Sequence, residues 1–153
     1  MKRRIVAEPS SEEIVDATNL ILGRMATHVA RMALDGKRVV VLNAERAVIS
    51  GTKARVLARA KMKLKTRTLA SQDKAPTHPR RPDNYVRRVV RGMLPWKKTR
   101  GKEAFRRVMV FIGTPSDYQG KLAVRIGEAD ASKLRVPYIT VQQLAEEIGG
   151  VLA

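Results

Sequence analysis

The chain has 153 residues and a formal net charge of +17, from 31 Lys and Arg against 14 Asp and Glu, with 44% hydrophobic residues and no cysteine. That length suits about one domain, and the apolar content is that of a globular protein, which excludes a disordered polycation. The missing cysteines exclude disulfide frameworks, thiolate metal sites and cysteine nucleophiles.

The N-terminus, Met1-Lys2-Arg3-Arg4, is followed by Glu8, Pro9, Ser10, Ser11, Glu12 and Glu13 rather than by the apolar stretch of a signal peptide. No run approaches the roughly 20 apolar residues of a membrane span. A soluble, unprocessed, cytoplasmic protein with no membrane partner is expected, and residues 1–13 read as a mobile leader.

Ile14-Val15-Asp16-Ala17 predicts a brief strand, with Thr18 or Asn19 capping the helix that follows. In that helix Leu22, Met25, Ala26, Val29 and Ala33 fall on one face, and Asp35-Gly36 stops it. Val39-Val40-Val41-Leu42 is apolar without alternation, as in a parallel strand buried on both faces. The order strand, helix, buried strand predicts a right-handed βαβ crossover. Ala47-Val48-Ile49 suits a third short strand, and Ser50-Gly51-Thr52 opens a second helix to about Lys65, with Leu57, Ala60 and Leu64 inward.

Residues 66–82 hold Pro76, Pro79 and Pro82 and almost no apolar side chains, so a long basic loop is expected. Asp83 is read as the cap of a third helix that places Val86, Val89, Val90 and Met93 inward and ends at Gly92-Met93-Leu94-Pro95. A second basic loop, 95–102, a helical stretch near Glu103 to Arg106 and a strand over 108–112 follow. The expected fold is α/β: a 14–113 domain with a short, mainly parallel sheet of about four strands. Residues 114–153 form a near-neutral C-terminal extension docked on the same domain. It ends in a helix signalled by the capping box Thr140-x-x-Gln143, the staple pair Ile139 and Leu144, and Gly149-Gly150 as the stop.

The surplus charge is concentrated. Between Lys61 and Arg107, sixteen Lys and Arg face only Asp73, Asp83 and Glu103, a net +13 of the total +17. Such crowding repels itself unless a polyanion neutralises it, and nucleic acid is the commonest one. On the second helix, Arg55, Arg59 and Lys63 repeat at four-residue spacing beside Lys61 and Lys65. Each such like-charge pair costs a few tenths of a kcal/mol, so an anion is expected along that helix.

Candidate RNA contacts continue through Arg67, Arg80, Arg81 and Asn84 in and after the Pro-rich loop, and Arg87, Arg88 and Arg91 on the third helix. Trp96, Lys97, Lys98, Arg100, Lys102 and Arg106 complete the set. Arg offers planar bidentate donors to phosphate and Lys a point charge. A single charge run is usually a solvated face, but here three runs flank two loops with little compensating acid. Trp96 and Tyr85 each divide between stacking on an unpaired base and closing the protein core. Replacing Arg87, Arg88 and Arg91 together is expected to weaken RNA binding without unfolding the protein.

No catalytic residue, cofactor, metal or small-molecule substrate is expected. There is no G-x-G-x-x-G or G-x-x-x-x-G-K-[ST], Asp16 and Glu45 lack an opposed partner, and His28 and His78 are too far apart in sequence to suggest a metal pair. A DNA-binding or architectural protein shares the basic stripe, but no helix-turn-helix spacing, zinc finger or heptad is visible.

Several ordered motifs resemble the universal large-subunit ribosomal protein family L13. They are Asp16-Ala17-Thr18-Asn19-Leu20-Ile21-Leu22-Gly23-Arg24-Met25-Ala26, Val41-Leu42-Asn43-Ala44-Glu45-x-Ala47-Val48-Ile49-Ser50-Gly51, and Val90-Arg91-Gly92-Met93-Leu94-Pro95 followed by Gly101-Lys102 and Val108-x-Val110-Phe111-x-Gly113. Pro79-Arg80-Arg81-Pro82-Asp83-Asn84 and Pro95-Trp96-Lys97-Lys98 resemble its archaeal and eukaryotic branch. The resemblance covers residues 14–113. It implies a three-layer α/β/α fold bound into large-subunit rRNA beside neighbouring ribosomal proteins, with RNA contacts from the second helix, the Pro-rich loop and the Met-Leu-Pro segment.

Overall fold

The computed structural model describes residues 11–71 and 73–150. Residues 1–10 of the expected leader lie outside this description. Glu12 and Glu13 are not leader, however: they open the first strand, where Glu12 pairs with Arg38 and Glu13 with Val39.

Strand β1 (Glu12–Asp16), helix α1 (Leu22–Leu34) and strand β2 (Arg38–Leu42) form the expected parallel βαβ unit. Next come β3 (Val48–Ser50), α2 (Lys53–Lys65), α3 (Pro82–Met93), α4 (Thr99–Arg106) and β4 (Val108–Val110). β4 pairs in parallel with the other edge of β2, giving the order β1-β2-β4. The central strand is buried from Val39 to Leu42, which is why its sequence shows no alternation. Val15, Val39, Val41 and Val108 pack with Met25, Ala26 and Val29 of α1, Val86 and Val90 of α3 and Ala104 of α4. Ile14, Val40 and Leu42 gather on a second cluster with Met109, Phe111 and Tyr118. The fold is α/β, as the sequence predicted.

The expected third strand forms, but in a separate sheet. β3 pairs antiparallel with β5 (Tyr138–Thr140), a strand the sequence reading did not foresee. Three residues are too few to show a period. β5 exists because the tail returns along the domain. Val124 N–H donates to Ile14 O (2.7 Å), Ile21 N–H to Ala129 O (2.6 Å), Gly51 N–H to Pro137 O (2.7 Å) and Val141 N–H to Ala47 O (2.9 Å). Helix α5 (Val141–Glu147) then carries the predicted capping box in full, with Thr140 and Gln143 bonding each other's backbone.

Three expected helix starts differ. α1 is preceded by Ile21 with no side-chain cap, because Thr18 donates to Asp16 and Asn19 turns left-handed (φ 57°). α3 begins at Pro82, whose fixed φ and missing N–H suit a first turn, so Asp83 sits inside the helix and accepts from Asn84 N–H instead of capping. α4 begins at Thr99, so the stretch expected as a loop over 95–102 is a tight turn and then helix. Gly101, buried in α4, faces the Pro95 carbonyl so closely that any Cβ would collide with it. Met93, expected inward, is 40% exposed, and Met62 is 72% exposed.

Candidate nucleic-acid interface

The candidate interface is built on α2, α3, α4 and the segments between them. No side chain of α2 is fully buried. It is held by half-buried Val56, Leu57, Ala60 and Leu64, which pack on Ile139, Leu144 and Ile148 of the tail. Tyr85 of α3 joins that cluster and also the main core, so it ties the two basic helices together. Burial raises the Tyr85 phenol pKa, and the nearby Arg59 charge opposes the rise. The structure therefore settles Tyr85 as a packing residue between α2 and α3.

α3 and α4 are linked by an alternation of cations and rings. The Arg87 guanidinium lies over Phe105 (4.7 Å to the centroid) and the Arg91 guanidinium over Trp96 (3.9 Å). The two rings meet edge to face, 5.2 Å apart at 90°. Trp96 thus closes the corner between α3 and α4, the packing role the sequence left open for it. The triple replacement of Arg87, Arg88 and Arg91 would therefore remove two packed side chains along with three charges. Arg88 alone of the three is exposed and unstacked.

Arg55, Arg59, Lys61, Lys63, Lys65, Arg67, Arg80, Arg81, Asn84, Lys97, Lys98, Arg100, Lys102 and Arg106 are all exposed, and Arg87, Arg91 and Trp96 are partly buried. Among the described residues of 61–107, one cation has a carboxylate partner: Arg81, 3.4 Å from Asp83. The Pro-rich segment bends back on itself, the His78 ring lying within hydrogen-bond distance of Thr66 O (2.9 Å). The tail helix ends against this segment, where Gly150 meets the Arg80 carbonyl with no room for a Cβ. Elsewhere several carboxylates are matched: Lys37 with Glu13 (2.9 Å), Arg38 with Glu12 (3.5 Å), Arg125 with Asp130 (3.4 Å) and Lys53 with Glu147 (2.7 Å). Hydrogen bonding from Lys53, and then its charge, lower the Glu147 pKa. The contrast leaves every cation but Arg81 among the described residues of 61–107 without a carboxylate partner.

The sequence profile of "Ribosomal protein L13" matches residues 11–117. The chain belongs to the ribosomal protein L13 family. It is 46% identical to large ribosomal subunit protein uL13 of Sulfurisphaera tokodaii over 90% of this chain and 94% of that protein. It is 45% identical to uL13 of Sulfolobus acidocaldarius over 93% and 97%, and 42% identical to uL13 of Methanopyrus kandleri over 93% and 89%. The relatives include archaeal proteins, as the branch-like motifs suggested. Coverage of nine-tenths of the chain carries the similarity past residue 117 into the tail.

In this L13-family chain the motifs that carried the resemblance meet at the C-terminal ends of the parallel strands. Asp16 Oδ1 accepts from Thr18 N–H (3.0 Å), Thr18 Oγ1 (2.7 Å) and Asn43 Nδ2 (2.9 Å). Glu45 Oε2 accepts from Gly113 N–H (3.0 Å). Burial pushes the Asp16 pKa up, but the bonds from Asn43 and Thr18 and the Arg46 charge outweigh it and hold it below the ordinary value of 3.8. Asp16 and Glu45 are thus spent on joining strand ends. The sequence reading missed Phe105, whose signal was an aromatic residue set inside a basic run. Among the described residues, no group of three His, Cys, Asp or Glu is placed to hold a metal, and no helix is long and apolar enough to cross a membrane.

Proposed function

We propose that this protein is a structural constituent of the large ribosomal subunit in the cytoplasm. It binds folded large-subunit rRNA, supports subunit assembly and acts without catalysis, cofactor or small-molecule substrate. The observation that carries the reading is the cationic side formed by α2, α3 and α4, where Arg81 alone among the described residues of 61–107 has a carboxylate partner. Membership of the L13 family and the uL13 relatives give that surface its partner class.

The exposed residues of α2 and the Pro-rich segment, with Asn84, Arg88, Lys97, Lys98, Arg100, Lys102 and Arg106, supply phosphate contacts. They read the shape of folded RNA more than base sequence. Neighbouring large-subunit proteins pack beside the rRNA. Sucrose-gradient fractionation of a lysate tests the class directly, since co-migration with the large subunit is expected and a free or chromatin-bound pool refutes it. Competition at equal salt adds a second check: structured rRNA should displace duplex DNA from the protein, and the reverse order would favour an architectural DNA binder.

A further inference from the structure

Arg87 and Arg91 are held unlike any other cation of this surface. They are four residues apart on α3, hence one turn apart on the same side of the helix. Each guanidinium carbon lies over a ring, Arg87 over Phe105 and Arg91 over Trp96, and the rings brace one another edge to face. The brace is stiff because Phe105 is inside α4, Trp96 is in the turn before it, and the buried Gly101 locks turn to helix against the Pro95 carbonyl.

Two observations argue against simple packing. Arg87 Nε is shielded from solvent and has no hydrogen-bond partner, an unfavourable state for a donor on a charged group. Neither Arg87 nor Arg91 has a carboxylate within ion-pair distance among the described residues. Leu or Met would fill the same space against the rings without burying an unpaired charge. A local rule broken in this way marks a use outside the fold. A guanidinium set over a ring spends no donor on a carboxylate, so its terminal N–H groups stay available to phosphate.

We propose that Arg87 and Arg91 are a pre-set guanidinium pair that clamps backbone phosphates of one RNA strand, with Phe105 and Trp96 as positioning residues that fix the pair before RNA arrives. This rests on the rRNA-binding reading above and deepens it. The cations of α2 contribute charge and must be immobilised on binding, whereas this pair has been ordered by folding, so less freedom is lost when it engages.

The test uses the full chain, a large-subunit rRNA fragment and duplex DNA over a range of salt. Arg87→Lys/Arg91→Lys keeps the net charge and removes the planar forks, and roughly tenfold weaker rRNA binding at an unchanged salt slope is expected. Arg31→Lys, at an exposed arginine of α1 outside the interface, should bind as the unaltered protein does. Arg91→Lys and Trp96→Leu should be non-additive, because each removes the same device, and Trp96→Phe should restore most of the Trp96→Leu loss. Trp96 is the only tryptophan, so its emission in the free protein reports whether Arg91→Lys has released the stack. Thermal unfolding confirms that each variant is folded, and the single variants carry the comparison where the double variant is not. Unchanged rRNA binding by the Lys variants, an equal loss in Arg31→Lys, or additive losses in the cycle each overturn the clamp while leaving rRNA binding in place. If the unaltered protein fails to prefer rRNA to DNA, the functional reading falls, and the clamp with it.

Discussion

Asn43 serves the strand ends in two ways at once. Its backbone is left-handed at φ 52°, a conformation that costs most side chains about 1–2 kcal/mol, and its Nδ2 donates to Asp16 across the sheet. Asn43→Ala should therefore destabilise the protein by about 2–3 kcal/mol, combining the backbone cost with a hydrogen bond to a charged group. Asn43→Gly should cost less because only the bond is lost. Urea unfolding midpoints at constant m decide it, and equal losses would remove the backbone part of the account. Asp16 gives a second test. Because its folded pKa is lowered, its contribution is complete above the unfolded value of 3.8 and is lost as pH falls through the folded value. Asp16→Asn should flatten the stability profile below about pH 4, and an unchanged acid slope would show the carboxylate is not involved. None of this was visible in the chain as written, where Asp16 and Asn43 are 27 residues apart and only strand pairing brings them together.

At the scale of elements, α2 depends on the tail. Its apolar stripe was legible from Leu57, Ala60 and Leu64, but the surface it rests on, Ile139, Leu144 and Ile148, is contributed by residues that look unrelated to the basic region. Leu144, 1% exposed, anchors this contact, and Leu144→Ala should cost roughly 2–5 kcal/mol. Amide hydrogen exchange should speed up first in α2 and α5, and uniform loss across the molecule would argue that they do not form a local unit. The row Arg55, Arg59 and Lys63 works against the helix it sits on. Changing all three to Gln removes two like-charge pairs and should raise the stability of the free protein by up to about 1 kcal/mol while weakening rRNA binding. The two effects carry opposite signs, a combination that a merely structural row would not give. The helices α1, α2 and α3 were legible because each runs three turns or more with an apolar stripe, and α5 because its capping box and glycine stop mark both ends. The start of α4 was not, since four of the residues from Lys97 to Lys102 are cationic and give no stripe to read.

For the whole molecule, charge is segregated: carboxylates of β1 and the tail are matched to nearby cations, and the basic region between α2 and α4 is left open. Affinity for rRNA should accordingly fall with salt. Neutralising roughly 6–10 phosphates would lower binding by about 10³–10⁵ between 50 and 200 mM, and a flat salt profile would contradict the interface. Bound rRNA should also raise the unfolding temperature with the logarithm of its free concentration over its Kd, because it binds the folded state.

Composition and periodicity determined the α/β class, the βαβ start, the capped terminal helix and the basic stretch proposed to face RNA, because charge density and apolar spacing are properties of neighbouring residues. Tertiary structure alone decided that β3 pairs with a returning tail, that Tyr85 joins two basic helices, and that Arg87 and Arg91 lie on rings from the next helix. Those arrangements depend on contacts between residues distant in the chain, and a three-residue strand or a lone aromatic carries no local signal of the partner it will meet.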